Sequence, residues 1–155
     1  MSVDPIREME FEQLKVKVYK DNETMGRAAA EAAAEIIASA IEQRGTANVI
    51  VATGNSQLTF LEAVQHVPGI NWPAVTLFHM DEYLNLPPGH KAGFSNFLHH
   101  HLIDNDPIER FYPVPGHPHD VEAACRGYEL LLRAHPADLC CLGIGENGHI
   151  AFSEP

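Results

Sequence analysis

The sequence predicts an α/β fold in which a mostly parallel sheet lies between two layers of helices. Segments of strand length, rich in β-branched residues, alternate along the chain with segments in which apolar residues recur every three or four positions. Several strand segments are apolar at successive positions, as expected for strands that helices cover on both faces. Together these observations predict a Rossmann-like, three-layer α/β/α fold that forms one domain over residues 1–155.

The first two predicted elements are a strand and a long helix. Leu14, Val16 and Val18 alternate with polar residues, which is the two-residue period of a half-buried strand. Apolar residues then recur at helical spacing over residues 23–44, and Gly45 stands where a C-cap glycine is expected. The predicted buried face of this helix consists of Met25, Ala29, Ala33, Ile36, Ala40 and Ile41.

The middle of the chain predicts two strands, each followed by a helix. Residues 47–52 form the first strand, and a helical pattern follows over residues 58–64. Residues 75–80 form the next strand, and a short helix follows that ends near residue 104. An irregular, proline-rich connection comes after it, with a short strand expected at residues 112–114.

A second long helix and a last strand complete the predicted elements. Asp120 is a suitable N-cap for the helix, and Pro136 closes it. Its predicted buried face consists of Val121, Ala124, Tyr128, Leu131 and Leu132. The last strand covers residues 139–144.

The charge balance argues against nucleic acids and anionic membranes as partners. The chain has 10 Lys+Arg against 21 Asp+Glu, a formal net charge of −11, whereas both partners need a basic surface. We see no signal peptide and no apolar run long enough to span a bilayer. Cys125, Cys140 and Cys141 fit no disulfide framework and are interpreted as small core residues, which favours a reducing, cytoplasmic location.

Three polar loops follow predicted strands and should therefore meet at one edge of the sheet. Carboxyl ends of parallel strands lie together, and ligands of such sheets bind there. The loops are residues 53–56, 81–83 and 145–154. An ordinary helix cap, solvated surface carboxylates and a structural histidine are the simpler interpretations of the three.

Taken together, the loops contain the groups that a phosphate and proton-transfer site would need. The first loop, Thr53-Gly54-Asn55-Ser56, offers backbone N–H groups and hydroxyls to a phosphate. Asp81 ends a buried strand, where a carboxylate can act as a base. His149 lies between Glu146 and Glu154 in a glycine-rich loop and is a candidate proton carrier.

Two other interpretations fit the residues less well. Gly143, Gly145 and Gly148 match a dinucleotide fingerprint, but that fingerprint needs an acidic residue about twenty positions later. The run His99-His100-His101 suggests a metal, but successive helix residues point about 100° apart, so three in a row cannot bind one ion. We expect neither a metal nor an organic cofactor.

Two sequence blocks resemble the signature of the glucosamine-6-phosphate deaminase (isomerase) family, within the glucosamine-6-phosphate isomerase/6-phosphogluconolactonase superfamily. They are Met80-Asp81-Glu82-Tyr83, followed by Leu86-Pro87, and the glycine-rich block Gly143-Ile144-Gly145-Glu146-Asn147-Gly148-His149-Ile150-Ala151-Phe152-Ser153-Glu154-Pro155. The related 6-phosphogluconolactonases share the fold, but their strand-end motif usually reads Asp-Glu-Arg. Tyr83 and the segment 151–154 therefore favour the deaminase.

The resemblance implies a role for each loop in converting an amino-aldose phosphate to a ketose phosphate and ammonia. It makes His149 the acid and base of ring opening, oriented by Glu154, and Asp81 the base at C2. It implies a small amino-sugar phosphate as partner and no cofactor. The implied substrate-binding residues are Thr53, Gly54, Asn55, Ser56, Glu82, Gly145 and Gly148.

This sequence departs from the family pattern in two ways. Asn147 stands where the deaminases carry an aspartate; it can orient the imidazole but cannot stabilise imidazolium by charge. Family chains also continue past the last block, so we expect a fold that is incomplete at its C-terminus and a fragment that alone binds sugar phosphate poorly. A lactone hydrolase and a non-catalytic sugar-phosphate-binding protein remain alternatives. The sequence leaves open glucosamine or galactosamine phosphate as substrate, and a homo-oligomer.

Overall fold

The structure is a computed structural model that describes residues 3–87 and 89–153. In chain order its helices and strands are β1 (Arg7–Phe11), β2 (Leu14–Val18), α1 (Asn22–Arg44), β3 (Ala47–Val51), α2 (Leu58–Val64), β4 (Val75–His79), α3 (Phe94–Leu98), β5 (Arg110–Tyr112), α4 (Val121–Ala134) and β6 (Leu139–Cys141). Short 3-10 turns at Asn55–Gln57 and Trp72–Ala74 precede α2 and β4, and a π-helical turn, His99–Ile103, extends α3.

Four strands form one parallel sheet in the order β5-β4-β3-β6. The pairing is in register, with Val49 opposite both Leu77 and Leu139. Since every strand runs the same way, all their carboxyl ends lie at one edge. The predicted α/β fold with a mostly parallel sheet is confirmed.

The centre of the sheet is β4, in which all five residues are buried. On one face Val75 and Leu77 join a core cluster that also contains residues of α1 and α2. On the other face Phe78 packs against the rings of Tyr112 and Tyr128, at centroid distances of 5.4 and 6.5 Å. Helices therefore cover β4 on both sides, as its unbroken apolar pattern predicts.

Both ends of α1 follow the local sequence signals, but its buried face differs in part from the prediction. Gly45 takes a left-handed conformation, φ 78°, and donates to the carbonyl of Ile41. Met25 and Ile36 are 43% and 42% exposed, so their assignment to the core is wrong. The face is instead made of small residues because α2 approaches closely: a Cβ at Gly26 would stand 2.7 Å from the Cβ of Thr59. The buried residues of α1 are Gly26, Ala30, Ala33, Ala34, Ile37 and Ala40.

The N-terminal strand was predicted, but its partner was not. β2 pairs with β1 in an antiparallel hairpin that is separate from the large sheet and largely exposed. Glu12 takes a positive φ of 56° at the turn between the two strands. The alternation in β2 thus reflects a surface hairpin and not a half-buried strand of the main sheet.

The second helical layer covers the sheet incompletely. α4 begins at the predicted cap, where the Asp120 side chain accepts from the N–H of Ala123. Four residues of its predicted buried face are half-buried, and Val121 is 42% exposed. At the sheet edge β6 ends at Cys141 and not at residue 144. Cys125 and Cys140 are exposed, so their assignment to the core is wrong.

The remaining connections differ from prediction by a few residues. The short strand comes before Pro113 and not across it, because proline has no N–H to donate to a neighbouring strand. Arg44 forms an ion pair with Asp138, whose other oxygen accepts from the N–H of Asn48 at 2.9 Å. These bonds tie the start of β6 to α1 and β3.

No helix in the described residues has the length and apolar character that a membrane span requires.

Candidate active site

Contacts join the three polar loops at the carboxyl edge of the sheet. Gly143, after β6, lies against the hydroxyl of Ser56, in the position where a side chain would otherwise stand. The ring of Tyr83, after β4, is 5.5 Å from that of Phe152 in the last loop. The segment after β6, which contains the last loop, therefore touches both of the other two loops, as the parallel topology predicts.

The loop after β3 has the backbone geometry of a turn that opens a helix. Gly54 has φ 96° and ψ 174°, a conformation that is open to glycine and strained for other residues. Its carbonyl accepts from the N–H of Gln57 at 3.0 Å, which closes the 3-10 turn. The N–H groups of Asn55 and Ser56 stand in the first turn, where a helix supplies no acceptor. Thr53 precedes the turn, so four successive residues present donors at the sheet edge.

The carboxyl group of Asp81 lies half-buried just beyond β4. Burial raises its pKa above the ordinary value, and the nearby charge of Glu82 raises it further. The chain leading to it is fixed by the ladder bond from the N–H of Met80 to the carbonyl of Val51, at 3.2 Å. A carboxyl with a raised pKa, held on a buried strand, has the properties of a proton acceptor.

A tyrosine of α4 holds the end of β4 from the opposite face. The hydroxyl of Tyr128 accepts from the N–H of His79 at 3.1 Å and donates to the carbonyl of His79 at 2.7 Å. The carbonyl of Tyr112 lies 3.2 Å from the same hydroxyl. Burial raises the pKa of Tyr128 to about 12, so the hydroxyl keeps its proton. Asp81 therefore follows a strand end whose backbone is held by Tyr128 and by the neighbouring strand β3.

The side chain of His79 itself is fully enclosed, with 1% of its surface exposed. Neither ring nitrogen has a hydrogen-bond partner among the described residues. Burial lowers the pKa of His79 to about 4, while Glu82 acts in the opposite direction. The imidazole is neutral at pH 7 and packs between the rings of Phe94 and Phe111.

The loop after β6 is a tight turn that places an imidazole against a glycine. The N–H of Gly145 donates to the carbonyl of His149, and the N–H of Gly148 donates to the carbonyl of Gly145, each at 2.9 Å. The ring of His149 lies over Gly145 where a Cβ would stand, so only glycine fits there. Gly148 has φ 89° and reverses the chain.

Asn147 orients the imidazole of His149. Its Oδ1 lies 2.6 Å from Nδ1 of His149 and also accepts from the backbone N–H of that residue at 3.3 Å. Because an amide oxygen only accepts, Nδ1 carries the proton, and Nε2 of the neutral ring has the lone pair. The asparagine thus fixes one tautomer.

Glu82 lies beside Asp81 but turns its carboxylate toward the backbone. Its Oε1 accepts from the N–H groups of Tyr83 and Phe94, and its Oε2 accepts from the N–H of Ser95. Glu154, the predicted partner of His149, lies outside the described residues. Its role therefore remains a prediction.

The dinucleotide and metal interpretations gain no support. Residues 142–153 form turns and an isolated bridge between Ile150 and Ser153, and no helix starts among them to receive a pyrophosphate. Within the described ranges no three His, Cys, Asp or Glu side chains are placed to hold an ion. His99 pairs with Asp104, and His101 packs on Phe97.

Sequence reasoning missed an aromatic cluster at the site. The rings of Tyr83, Phe94 and Phe152, which we call the aromatic trio, lie 4.7 to 5.9 Å apart. It also missed the hydroxyl of Tyr128, although a tyrosine on a predicted buried face signals a polar partner. No local pattern predicts the trio, because its members come from three separate segments.

Comparisons with known proteins agree with the fold and the sequence blocks. The family model described as glucosamine-6-phosphate isomerases/6-phosphogluconolactonase matches residues 20–152. A glucosamine-6-phosphate deaminase of Bacillus cytotoxicus is 37% identical over 126 residues, which cover 81% of this chain and 48% of that protein. The chain thus spans about half the length of that relative.

Solved structures show the same fold at lower identity. A monomeric glucosamine-6-phosphate deaminase superposes with a TM-score of 0.76 at 24% identity, over 84% of this chain and 55% of the other. A 6-phosphogluconolactonase from Shewanella baltica gives 0.73 at 20% identity, over 86% and 58%. With the family model matching most of its length, the chain belongs to the glucosamine-6-phosphate isomerase/6-phosphogluconolactonase family.

Proposed function

We propose that these residues carry the proton-transfer groups of a glucosamine-6-phosphate deaminase. The observation that carries the proposal is the arrangement at the sheet edge: a carboxyl of raised pKa, Asp81, and an imidazole of fixed tautomer, His149, stand on loops that share contacts. The 37% identity to a deaminase supports this activity over that of a lactonase.

The first step of the proposed reaction opens the sugar ring. The ring oxygen must gain a proton while the hydroxyl at C1 loses one, which gives the open-chain amino aldehyde. Nε2 of His149 has the lone pair for this exchange because Asn147 holds the proton on Nδ1. Asn147 is a neutral amide, so it orients the imidazole but does not stabilise its charged form. We therefore assign stabilisation of the imidazolium to Glu154.

The second step moves a proton from C2 to C1. The carboxylate of Asp81 takes the proton from C2 while the oxygen at C1 gains a proton, which gives an enolamine. A proton returned to C1 then gives the protonated ketose imine. Water then adds to the imine carbon, and ammonia leaves, so that glucosamine 6-phosphate and water become fructose 6-phosphate and ammonia. The raised pKa of Asp81 suits a group that must first accept and then return a proton.

The phosphate of the substrate is assigned to the loop after β3. Backbone N–H groups and the hydroxyls of Thr53 and Ser56 are suitable donors for its oxygens. We assign Gly145 and Gly148 to substrate binding as well, since they form the turn that carries His149. Further ligands of the phosphate are expected from outside these residues, since the chain spans about half the length of the deaminase that it matches.

The three cysteines favour a particular location. Because all three are free, we infer a reducing, cytoplasmic location.

Exchange of the C2 hydrogen tests the assignment of Asp81. In the protein as the cell makes it, Asp81→Asn should lower C2 exchange from glucosamine 6-phosphate in D2O by about 10²–10⁴-fold, the usual contribution of a general base. Asp4→Asn changes an exposed carboxyl in the same way and serves as the control. Unchanged exchange in Asp81→Asn means that another group is the base.

Product analysis separates the alternatives. Ammonia and fructose 6-phosphate from glucosamine 6-phosphate support the deaminase. Consumption of 6-phosphogluconolactone without ammonia assigns the site to a lactone hydrolase. Tight sugar-phosphate binding without turnover of either compound assigns it to a binding protein. The 155 residues alone should release ammonia far more slowly than the whole protein, and an equal rate contradicts the view that they are part of a larger domain.

A further inference from the structure

Within the described residues, Glu82 accepts three hydrogen bonds, all from backbone N–H groups. Its Oε1 accepts from Tyr83 and from Phe94, and its Oε2 accepts from Ser95, each at 2.9 Å. Bonds of this kind to a charged acceptor are about twice as strong as neutral ones. Both oxygens are thereby engaged with the protein.

The carboxylate of Glu82 replaces a missing helix cap. Phe94 and Ser95 are the first residues of α3, and their N–H groups have no acceptor within the helix. The residue at the cap position, Gly93, has no side chain to supply one. Glu82 reaches these groups from the loop after β4, so it joins that loop to α3.

The rest of the Glu82 side chain is closely surrounded. A Cβ at Gly116 would stand 3.2 Å from the Cγ of Glu82 and 3.2 Å from the carbonyl oxygen of Tyr83. A Cβ at Gly93 would stand 3.7 Å from Oε2. These contacts and the three hydrogen bonds hold the half-buried side chain in place.

The hydrogen bonds of Glu82 also affect the loop that carries His149, because two of the bonded residues belong to the aromatic trio. Two of its three partners, Tyr83 and Phe94, contribute rings that lie 4.7 Å apart. Both rings contact Phe152, at 5.5 and 5.9 Å. Phe152 lies three residues after His149, so the position of that loop depends on where Glu82 holds the other two rings.

We propose that Glu82 is a positioning residue that sets the Asp81 loop against the His149 loop, and that it does not bind the substrate. The proposal rests on the proposed function only for the roles of Asp81 and His149. Glu82 has an electrostatic effect as well, because its charge favours the protonated form of the neighbouring carboxyl.

The bonds themselves are tested by NMR on the protein as the cell makes it. Glu82→Gln keeps the length but replaces one acceptor oxygen by a donor, so we expect the amide signals of its partners to shift upfield and exchange faster. Glu82→Ala should do so at Tyr83, Phe94 and Ser95 and also increase exchange around Phe152. Glu35→Gln, on an exposed residue of α1, is the matched control. Amides that are unchanged in both Glu82 variants overturn the proposal, and Glu82→Gln alone decides it if Glu82→Ala does not fold.

The electrostatic effect is tested by the titration of Asp81, followed through its carboxyl carbon. In Glu82→Gln the pKa of Asp81 should fall toward its ordinary value, since a neighbouring negative charge is gone. A merely structural role for Glu82 would leave this pKa in place while the amides move. An unchanged titration therefore contradicts the proposal.

Kinetics of the protein as the cell makes it separate positioning from substrate binding. Loss of positioning in Glu82→Gln should lower kcat by about 10–100-fold with KM within about threefold, because misplacing a reacting group costs rate. The acid limb of the pH–rate profile should move to lower pH. A raised KM with unchanged kcat and unchanged amides makes Glu82 a ligand and overturns the proposal. If no deamination occurs at all, the proposed function fails, while the amide and titration results still decide the position of Glu82.

Discussion

The strands β4 and β6 each lead into one of the two proposed proton-transfer groups, yet they differ in how they are supported. β4 has a neighbour on each side, buries all five residues and is held at its end by Tyr128. Among the described residues β6 lies at the edge of the sheet, pairs with β3 alone and exposes Cys140. The buried core thus fixes the position of Asp81. The position of His149 is fixed by the hydrogen bonds of its own turn and by the contacts of its segment with Ser56 and the aromatic trio. The comparison predicts that disturbing β4 costs more stability than disturbing β6.

The largest effect is expected in the centre of β4. Leu77 is 1% exposed, and Leu77→Ala removes buried methyl groups and leaves a cavity. The free energy of unfolding should fall by about 2–5 kcal/mol, measured by denaturant titration. A loss of less than about 1 kcal/mol would show that the core around β4 closes over the cavity. It would contradict the view that β4 is the better supported strand.

The buried imidazole of His79 makes the same strand sensitive to acid. The folded pKa is about 4 and the unfolded value about 6.5, so the unfolded chain binds more protons between these pH values. The free energy of unfolding should therefore fall by about 3 kcal/mol as the pH drops from 6.5 to 4, with no further loss from this group below pH 4.

His79→Phe should remove this pH dependence, because a phenyl ring has no proton to gain. At pH 7 the variant should be as stable as the parent or more so, since two buried nitrogens lose their need for partners. Glu82 is the charged group that acts on the ring, so Glu82→Gln should increase the loss of stability at low pH. If the unfolding free energy changes equally with pH in the parent and in His79→Phe between pH 4 and 6.5, His79 is not the source of the acid sensitivity.

The next effect concerns the hydroxyl that holds the end of β4. Tyr128→Phe keeps the ring contact with Phe78 but leaves the backbone N–H and carbonyl of His79 without this partner. We expect a loss of about 1–2 kcal/mol in unfolding free energy. Faster hydrogen exchange at the amide of His79 would locate the change, and unchanged exchange there would show that water replaces the hydroxyl.

The smallest effect is expected at the exposed edge. Cys140→Ser in β6 replaces an exposed thiol by a hydroxyl of similar size and should change the unfolding free energy by less than about 0.5 kcal/mol. The next residue, Cys141, differs from Cys140 because it is half-buried, and burial raises the pKa of its thiol to about 12. A loss of several kcal/mol at Cys140 would mean that this face of β6 is covered in solution.

Elements whose signals are local were predictable from the sequence. Gly45 and Asp120 cap the helix ends that the sequence indicates, and the β-branched run of β3 forms the strand that its residue types favour. The meeting of the three loops also follows from the sequence, because parallel strands place their carboxyl ends together. The resemblance to the family is confirmed by the matching family model.

Features that depend on distant partners were not predictable. The face of α1 is chosen by the approach of α2 at Gly26, and periodicity alone favours the larger Met25 and Ile36. The resemblance implies substrate contact for Glu82, which stays a prediction, whereas its bonds to α3 join residues 12 and 13 positions apart and have no local signal. The contact of Phe152 with Phe94 likewise joins segments that the sequence separates.

The pairing of β3 with β6 has a consequence for synthesis on the ribosome. β3 ends at Val51, and its edge partner begins at Leu139, so one side of β3 has no partner until 88 further residues have been added. At about 5–20 residues per second this takes about 4–18 s. Pairing with β4 is complete much earlier, which leaves the other edge of β3 exposed in the nascent chain. Chaperones that recognise unpaired apolar strands would find their binding segment here.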